Sequence, residues 1–445
     1  MTDLQQYRIR ASSAAGLVES IEAGVASGAL APGQRLPSVR RLASDVGLSP
    51  VTVAAGLAEL RRRGVVLTEP RRGTRIGQAP PVGSARAPLP VPPGARDLSL
   101  GNPDPQLLPD LRAALQRCQL PVSLYGEPQS LPELVELARE QLRADGVPGE
   151  HVCVVSGALD AIERVAQAQL RAGDRVAVEN PGYAALYDLL RAHGLLLEPV
   201  AVDDRGMLAG ALHAALARGA AAVVLTPRGQ NPTGAALDAR RAAELADVLA
   251  AFPRALLIED DHLGPVAGSP LYTLLRERAP ACWAATRSVA KALGPDLRLA
   301  VLAGDAQTVA RVQGRQQCGP GWVSHILQTL VLSLWRDPAV GELVARAGHT
   351  YVARRERLLA DLAREGVRAQ GVSGFNVWIP VSEETSTIAA LLQRGWVLAP
   401  GAPYRLGGAP PAIRVTTATL AEQESARLAR DLAAVLAGSG ATRSG

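Results

Sequence analysis

Lysine occurs once in this chain, at Lys291, although Lys and Arg together number 47. Arginine keeps its proton at working pH, whereas an ε-amine can shed it and attack a carbonyl as a Schiff-base nucleophile. A bias toward arginine this strong also leaves a lone lysine by chance. The neighbours favour chemistry: Ser288 and Arg298 flank it with a hydroxyl and a forked guanidinium, the donors that hold a phosphate.

Four short apolar runs read as buried strands of an α/β sheet: 152–155, 175–178, 221–225 and 255–258. Sites in such sheets form at the carboxyl ends of strands. Those ends here carry Ser156-Gly157-Ala158, Glu179 to Tyr183, Thr226 to Gly234, Glu259-Asp260-Asp261-His262, and the lysine segment. The set matches what pyridoxal 5'-phosphate demands. A phosphate wants backbone N–H groups at a helix start, and Gly157-Ala158 open a helix expected to run to residue 170, beside Ser288 and Arg298. The pyridinium nitrogen wants a carboxylate, which Asp260 supplies. Asn231 suits the phenolic oxygen, Tyr183 the ring face, and Lys291 the aldehyde. Packing alone also accounts for Tyr183, and a helix cap or salt bridge for Asp260.

The Gln230-Asn231-Pro232-Thr233-Gly234 run and the spacing of Ser288, Lys291 and Arg298 resemble fold-type I, class I aminotransferases over most of residues 96–440. The resemblance implies that Lys291 forms the internal aldimine, with Asp260 on the ring nitrogen and Asn231 on the ring hydroxyl oxygen. It implies that Arg414 binds a substrate or effector carboxylate and that Tyr125 reaches the cofactor phosphate of a partner subunit. One departure concerns His262, which stands where relatives carry a tyrosine that helps hold the ring oxygen. A neutral imidazole can still donate one hydrogen bond. Leu159-Asp160 and Ala290 also replace polar residues usual near the phosphate.

The first 78 residues have another character. They hold eleven arginines against six acids, so the chain's formal charge of +5 sits in them and the rest is balanced. Basicity confined to one segment points to a polyanion partner. Leu17, Ile21 and Val25 mark an amphipathic helix from 12 to 27. Ser38 is placed to cap a short helix holding Val39 and Leu42 inward. Val46-Gly47-Leu48 is a turn, and Ser49-Pro50 opens a second helix through Val53, Leu57 and Leu60. Two helices across a glycine turn form a helix-turn-helix, whose second helix enters the major groove by its N-terminal end. Strand-like residues 65–67 and 74–76 flank a tip, residues 68–73, that bears Arg71 and Arg72. Arg61-Arg62-Arg63 suit phosphate contact or plain solvation.

This pattern resembles the winged helix-turn-helix of GntR transcription factors. By that resemblance Arg40, Ser49, Thr52 and the wing glycine Gly73 touch DNA, together with Ser38, Arg71 and Arg72, whereas Pro50 replaces an arginine that reads bases in some relatives. The expected organisation is multi-domain: a DNA-binding domain at 1–77, a linker at 78–95 and an aminotransferase-like α/β body at 96–440. The linker holds six prolines and is extended and partly stiff. Four scattered cysteines, Cys118, Cys153, Cys282 and Cys318, suit a reducing cytoplasm and neither a disulfide framework nor a zinc site. No apolar run is long enough to span a membrane.

The combination resembles the MocR subfamily of GntR regulators. It implies a homodimer on double-stranded operator DNA that answers to pyridoxal phosphate, a B6 vitamer or another small amino compound. A working aminotransferase with an autoregulatory DNA-binding domain is the alternative, and a cofactor-free dimerisation scaffold is a third.

Overall fold

The computed structural model describes residues 7–69, 73–77, 91–120, 122–277 and 279–441. The chain divides into two compact units, one of residues 1–87, 170–176 and 185–198 and the other of residues 88–169, 177–184 and 199–445.

The first unit contains α1 (Ala14–Ala26), α2 (Val39–Val46), α3 (Pro50–Arg62) and a hairpin of β1 (Val66–Glu69) and β2 (Gly73–Ile76). Each helix starts where its side chains dictate. Ser13, Ser38 and Ser49 accept the N–H groups of Gly16, Arg41 and Thr52, satisfying donors that a helix start otherwise leaves open. Gly47 ends α2 at φ +71°, a left-handed conformation that costs glycine little. Leu17, Ile21, Leu42, Val53, Leu57, Leu60 and Ile76 close one core. The hairpin strands run closer to the tip than expected, pairing Glu69 with Gly73. Arg71, Arg72 and linker residues 78–90 lie outside the described residues.

The second unit opens with β3 (Arg96–Asp97), α4 (Leu111–Arg117) and α5 (Pro132–Ala144). Alternation follows along the chain: β4 (Val152–Val155), α6 (Ala158–Gln169), β5 (Arg175–Asn180), α7 (Ala184–Ala192), β6 (Leu196–Asp203), β7 (Gly206–Met207), α8 (Ala209–Ala217), β8 (Ala220–Leu225), α9 (Ala239–Ala250) and β9 (Leu256–Asp261), with all but the first residue of α7 and the starts of β5 and β6 counted in the first unit. Next come β10 (Trp283–Ser288), α10 (Ala290–Leu293), β11 (Ala300–Gly304), α11 (Ala306–Gln317), α12 (His325–Arg336) and the long α13 (Pro338–Arg364). The sheet order is β4-β11-β10-β9-β8-β5-β6-β7, with β8, β9 and β10 parallel. Strands such as Val152–Val155 and Leu256–Asp261 are buried along their whole length, as expected where helices cover both faces.

All four expected strands exist. Two differ in extent: Glu179 and Asn180 belong to β5, and Glu259, Asp260 and Asp261 to β9, rather than to the loops after them. Buried acids continue a strand when partners await them. Thr273 and the Leu274 N–H bind Glu259, and two arginines bind Asp261. Strands β6, β10 and β11 had no expectation; β10 reads Trp-Ala-Ala-Thr-Arg-Ser, with polar residues in a fully buried strand.

The C-terminal part forms a smaller subdomain from β12 (Asn376–Pro380), α14 (Glu384–Gln393), β13 (Trp396–Val397), β14 (Ala399–Pro400), β15 (Ala412–Thr416) and α15 (Glu422–Ala441). Strands β12, β15 and β14 make one sheet, and β13 pairs in parallel with β3. Its core gathers Leu98, Leu358, Val377, Ile413, Leu428 and Leu432. No described helix is long and apolar enough to cross a membrane.

Candidate functional site

The ends of the parallel strands and the smaller subdomain enclose a cavity of about 420 Å³. Side chains from far apart in sequence meet there: Tyr183 after β5, Thr226 and Asn231 after β8, Asp260 and His262 at β9, Ser288 on β10, Lys291 on α10, and Arg298 before β11. Tyr404 and Arg414 enter from the smaller subdomain. Of the expected cavity residues, all but two line it. Gly157 lies just behind Ala158, outside the lining, and Tyr125 is not brought in.

Charge in this cavity is unpaired. Asp260 is buried, its Oδ1 has no hydrogen-bond partner, and burial followed by the neighbouring Asp261 pushes its carboxyl up to about 7. Burial, Arg414 and Arg298 bring the Lys291 amine down to about 8. Lys291 Nζ donates to the Gly101 carbonyl. Arg414 is 3% exposed, donates to Asn231 Oδ1 (2.9 Å) and the Ser99 carbonyl, and lies 4.9 Å over the Tyr404 ring. Its guanidinium has no carboxylate partner among its hydrogen bonds, and its Nε has none at all. With Asn231 Oδ1 occupied, the amide N–H₂ of that residue is the part left for a ligand. Burial, then Lys291, hold His262 down at about 4, so it is a neutral imidazole at pH 7.

Beside Lys291 the start of α6 meets Arg298 and Ser288. Helix α6 begins at Ala158, and Gly157 before it adopts φ +106°. A Cβ there would stand 2.8 Å from Arg298 Nη2, the movable end of a side chain, so it is the φ that calls for glycine. Arg298 is the one described non-glycine residue with positive φ, at 42°, the kind of backbone strain that gathers at ligand sites. Its Nη2 reaches the Ser156 carbonyl at 3.4 Å, placing the guanidinium across the start of α6. Ser288 Oγ accepts the Ala290 N–H and faces the same space.

Several cavity residues had no sequence signal: Tyr404, Asn376, and the stretch Ser99 to Asn102. Glu179 and Gln230 form a buried brace behind the wall. Glu179 accepts the Thr226 N–H and the Gln230 amide, and Gln230 also donates to the Pro181 carbonyl. Tyr125 is 93% exposed, edge-on to Trp322 at 5.6 Å, with Val122 and Leu124 also exposed. Among the described residues no three His, Cys, Asp or Glu side chains gather as metal ligands would.

In the first unit Ser38, Arg40 and Ser49 are exposed and Thr52 half-buried at the paired ends of α2 and α3. Thr52 Oγ1 and Ser49 Oγ lie 2.7 Å apart. Val51, absent from the sequence expectations, projects 79% exposed beside them. Arg63 departs from the expectation of solvation or phosphate contact. It is bound by Glu59 at 2.6 Å and Glu22 at 3.0 Å within its own unit.

Residues 14–76 match the family model of bacterial regulatory proteins of the gntR family, and residues 96–432 match aminotransferase class I and II. Aminotransferases of that class are a pyridoxal-phosphate family. The vitamin B6 salvage pathway transcriptional repressor PtsJ of Salmonella typhimurium is 39% identical over 94% of this chain and 96% of its own. The regulator TauR of Rhodobacter capsulatus is 31% identical over 89% and 88%. Among solved structures, LysN, an α-aminoadipate aminotransferase of Thermus thermophilus, superposes at TM-score 0.69 over 79% of this chain and 94% of its own. Its identity is 22%, a likeness of fold. A capped, winged helix-turn-helix on one compact unit and an aminotransferase cavity on the other place this chain in the MocR subfamily of GntR transcriptional regulators.

Proposed function

We propose that this chain binds double-stranded operator DNA as a homodimer and holds pyridoxal 5'-phosphate in the body cavity, and that the cofactor, or a small amino compound meeting it there, sets operator affinity. The observation that carries the reading is the unpaired charge at Asp260. A buried carboxylate without a partner is costly, and the protonated nitrogen of a pyridine ring is a partner of matching charge.

When bound, the cofactor supplies an aldehyde to amines and a ring that withdraws electrons. The chain's own groups do the rest. Lys291, held near 8, keeps part of its amine uncharged at neutral pH. Arg298, Ser288 and the N–H groups at the start of α6 bind phosphate. Asn231 donates to the ring oxygen through its amide, with neutral His262 as a second donor. Tyr183 covers a ring face, and Arg414 takes an effector carboxylate. The exposed Val122, Leu124 and Tyr125 suit a second copy. In the head, Arg40, Ser38, Ser49, Thr52 and Gly73 face the duplex, Arg40 on phosphate, with Val51 offering an apolar surface to a thymine methyl. That PtsJ is by name a repressor of vitamin B6 salvage supports a regulated pathway of the same kind here.

The test is an absorption titration of the purified protein with pyridoxal phosphate, run with operator binding. A visible band that vanishes in Lys291→Ala, and an operator affinity that shifts with the band, are expected. A wild-type protein with no band, or with a band and unchanged operator affinity, sinks the proposal. A second reading, a working transaminase, is favoured by Lys291, Asp260 and Arg414 sharing one cavity. Sustained conversion of an amino acid and a keto acid would establish it.

A further inference from the structure

Two cations of the cavity rest on one short stretch of main chain. Lys291 donates to the carbonyl of Gly101, and Arg414 donates to that of Ser99. A ligand that takes the Lys291 amine into a covalent bond, or takes the Nη2 donor of Arg414, competes with these carbonyls. A buried carbonyl that loses its donor is unfavourable, so the stretch from Ser99 to Gly101 must answer occupancy of the cavity.

The stretch bridges two bodies. Its far end meets Lys291, which sits beyond β10 of the large sheet. Its near end is stitched to the smaller subdomain: Leu98 N donates to Val397 O and Leu98 O accepts from Thr416 N, both at 2.9 Å. Asp97 Oδ1 accepts the Ser99 N–H and hydroxyl at 2.8 and 2.7 Å, holding the turn from β3 into the cavity. Arg414, on β15, belongs to the same subdomain.

Arg96 is the first residue after the linker, and its attachments all lead to that subdomain. Its N–H donates to Gly395 O at 2.8 Å. Its guanidinium holds Glu424 at 2.9 Å, the Thr419 carbonyl, and Thr419 Oγ1 at 3.1 Å. Residues 78–95 hold six prolines, a composition typical of semi-rigid spacers. We infer that Arg96 is a positioning residue that couples the cavity to the DNA-binding unit: it clamps the linker's exit to the subdomain that moves when Arg414 and the 99–101 stretch exchange partners.

The inference rests on the reading of the cavity as the ligand site, and one experiment separates their failures. Full-length wild type, Arg96→Ala and Glu424→Gln are titrated with pyridoxal phosphate by absorption. The affinity of each for a duplex selected from a random pool by the wild type is then measured with and without it. For wild type the ratio of the two affinities is expected to be about tenfold, within the usual range of ligand coupling. Arg96→Ala is expected to keep the band and its half-saturation within about twofold, while the ratio falls to within about twofold of unity. Glu424→Gln is expected to give an intermediate ratio.

A wild-type ratio retained in Arg96→Ala overturns the coupling role. So does a band lost together with the ratio in both variants, since Arg96 would then serve the cavity or the fold. If Arg96→Ala does not fold, Glu424→Gln decides by the same criteria. A wild type without a band defeats the cavity reading itself, and the coupling with it.

Discussion

Asp260 and Asp261 are neighbours on β9, equally buried and opposite in state. Asp261 is gripped by Arg228 through both oxygens at 2.8 Å and by Arg287 at 2.9 Å. Burial resists its ionisation, yet Arg287 and Arg228 outweigh that and hold the carboxyl at about 2. Asp260 points into the cavity with one oxygen unpartnered and stands near 7. Asp261, behind the wall, is charge-paired, and Asp260, on it, is not. Paired buried charges hold the fold, whereas unpaired ones await a partner the chain does not supply.

The largest effect that sharpens this contrast is expected behind the wall. Arg228→Ala leaves Asp261 with half its counter-charge and should lower unfolding stability by roughly 3–5 kcal/mol. A loss below ~1 kcal/mol in denaturant titration would erase the distinction between the two layers.

The pH dependence of the two acids has opposite sign. The folded value of Asp260 is raised, so in the ligand-free protein its burial costs stability as pH climbs from about 4 to 7. The folded value of Asp261 is lowered, so its contribution is present above about 4 and lost as pH falls toward 2. Each tenfold change in a carboxyl's acidity on folding is worth ~1.4 kcal/mol. Asp260→Asn should therefore stabilise the ligand-free protein at pH 8 by roughly a few kcal/mol. It should also weaken pyridoxal-phosphate binding. Asp261→Asn should destabilise at pH 8. Melting curves between pH 4 and 8 that give both variants the same sign would break the comparison.

The DNA-binding unit repeats the contrast with smaller effects. Arg40 is exposed, and Arg63 is tied to Glu22 and Glu59. Arg40→Ala should weaken operator binding by about 1 kcal/mol or more and lower the salt slope by about one. Arg63→Ala should cost the unit about 1 kcal/mol of stability and leave the salt slope unchanged. Thr52→Ala, which also loosens the cap at Ser49, should show the smallest loss, about 1 kcal/mol on specific sequence and little on random DNA. Equal salt slopes for Arg40→Ala and Arg63→Ala would show that exposure does not mark the DNA-facing residues.

Local chemistry was the legible part. Serine caps, Pro50 at a helix start and Gly47 in a turn act within a few residues, so the helices of the first unit lie where the sequence places them. The apolar strands were legible for the same reason. Strands β6 and β10 were not, because their polar residues are tolerated only by partners elsewhere in the chain. Arg287 on β10, for example, is accepted in a buried strand by Asp261 on β9.

Sequence alone determined that Lys291 is the single lysine, that Ser288 and Arg298 bracket it, and that the net positive charge lies in the first 78 residues. These are matters of residue type and spacing. The resemblance singled out Asp260, but its physical reason is tertiary, because side chains alternate across a strand and the register chooses the face. Tertiary structure likewise brought Arg414 and Tyr404 against Asn231 and Tyr183, and laid the carbonyls of Ser99 and Gly101 on the two cavity cations. Such contacts join residues up to 315 positions apart. No local pattern encodes them; they follow from how the sheet and the smaller subdomain pack.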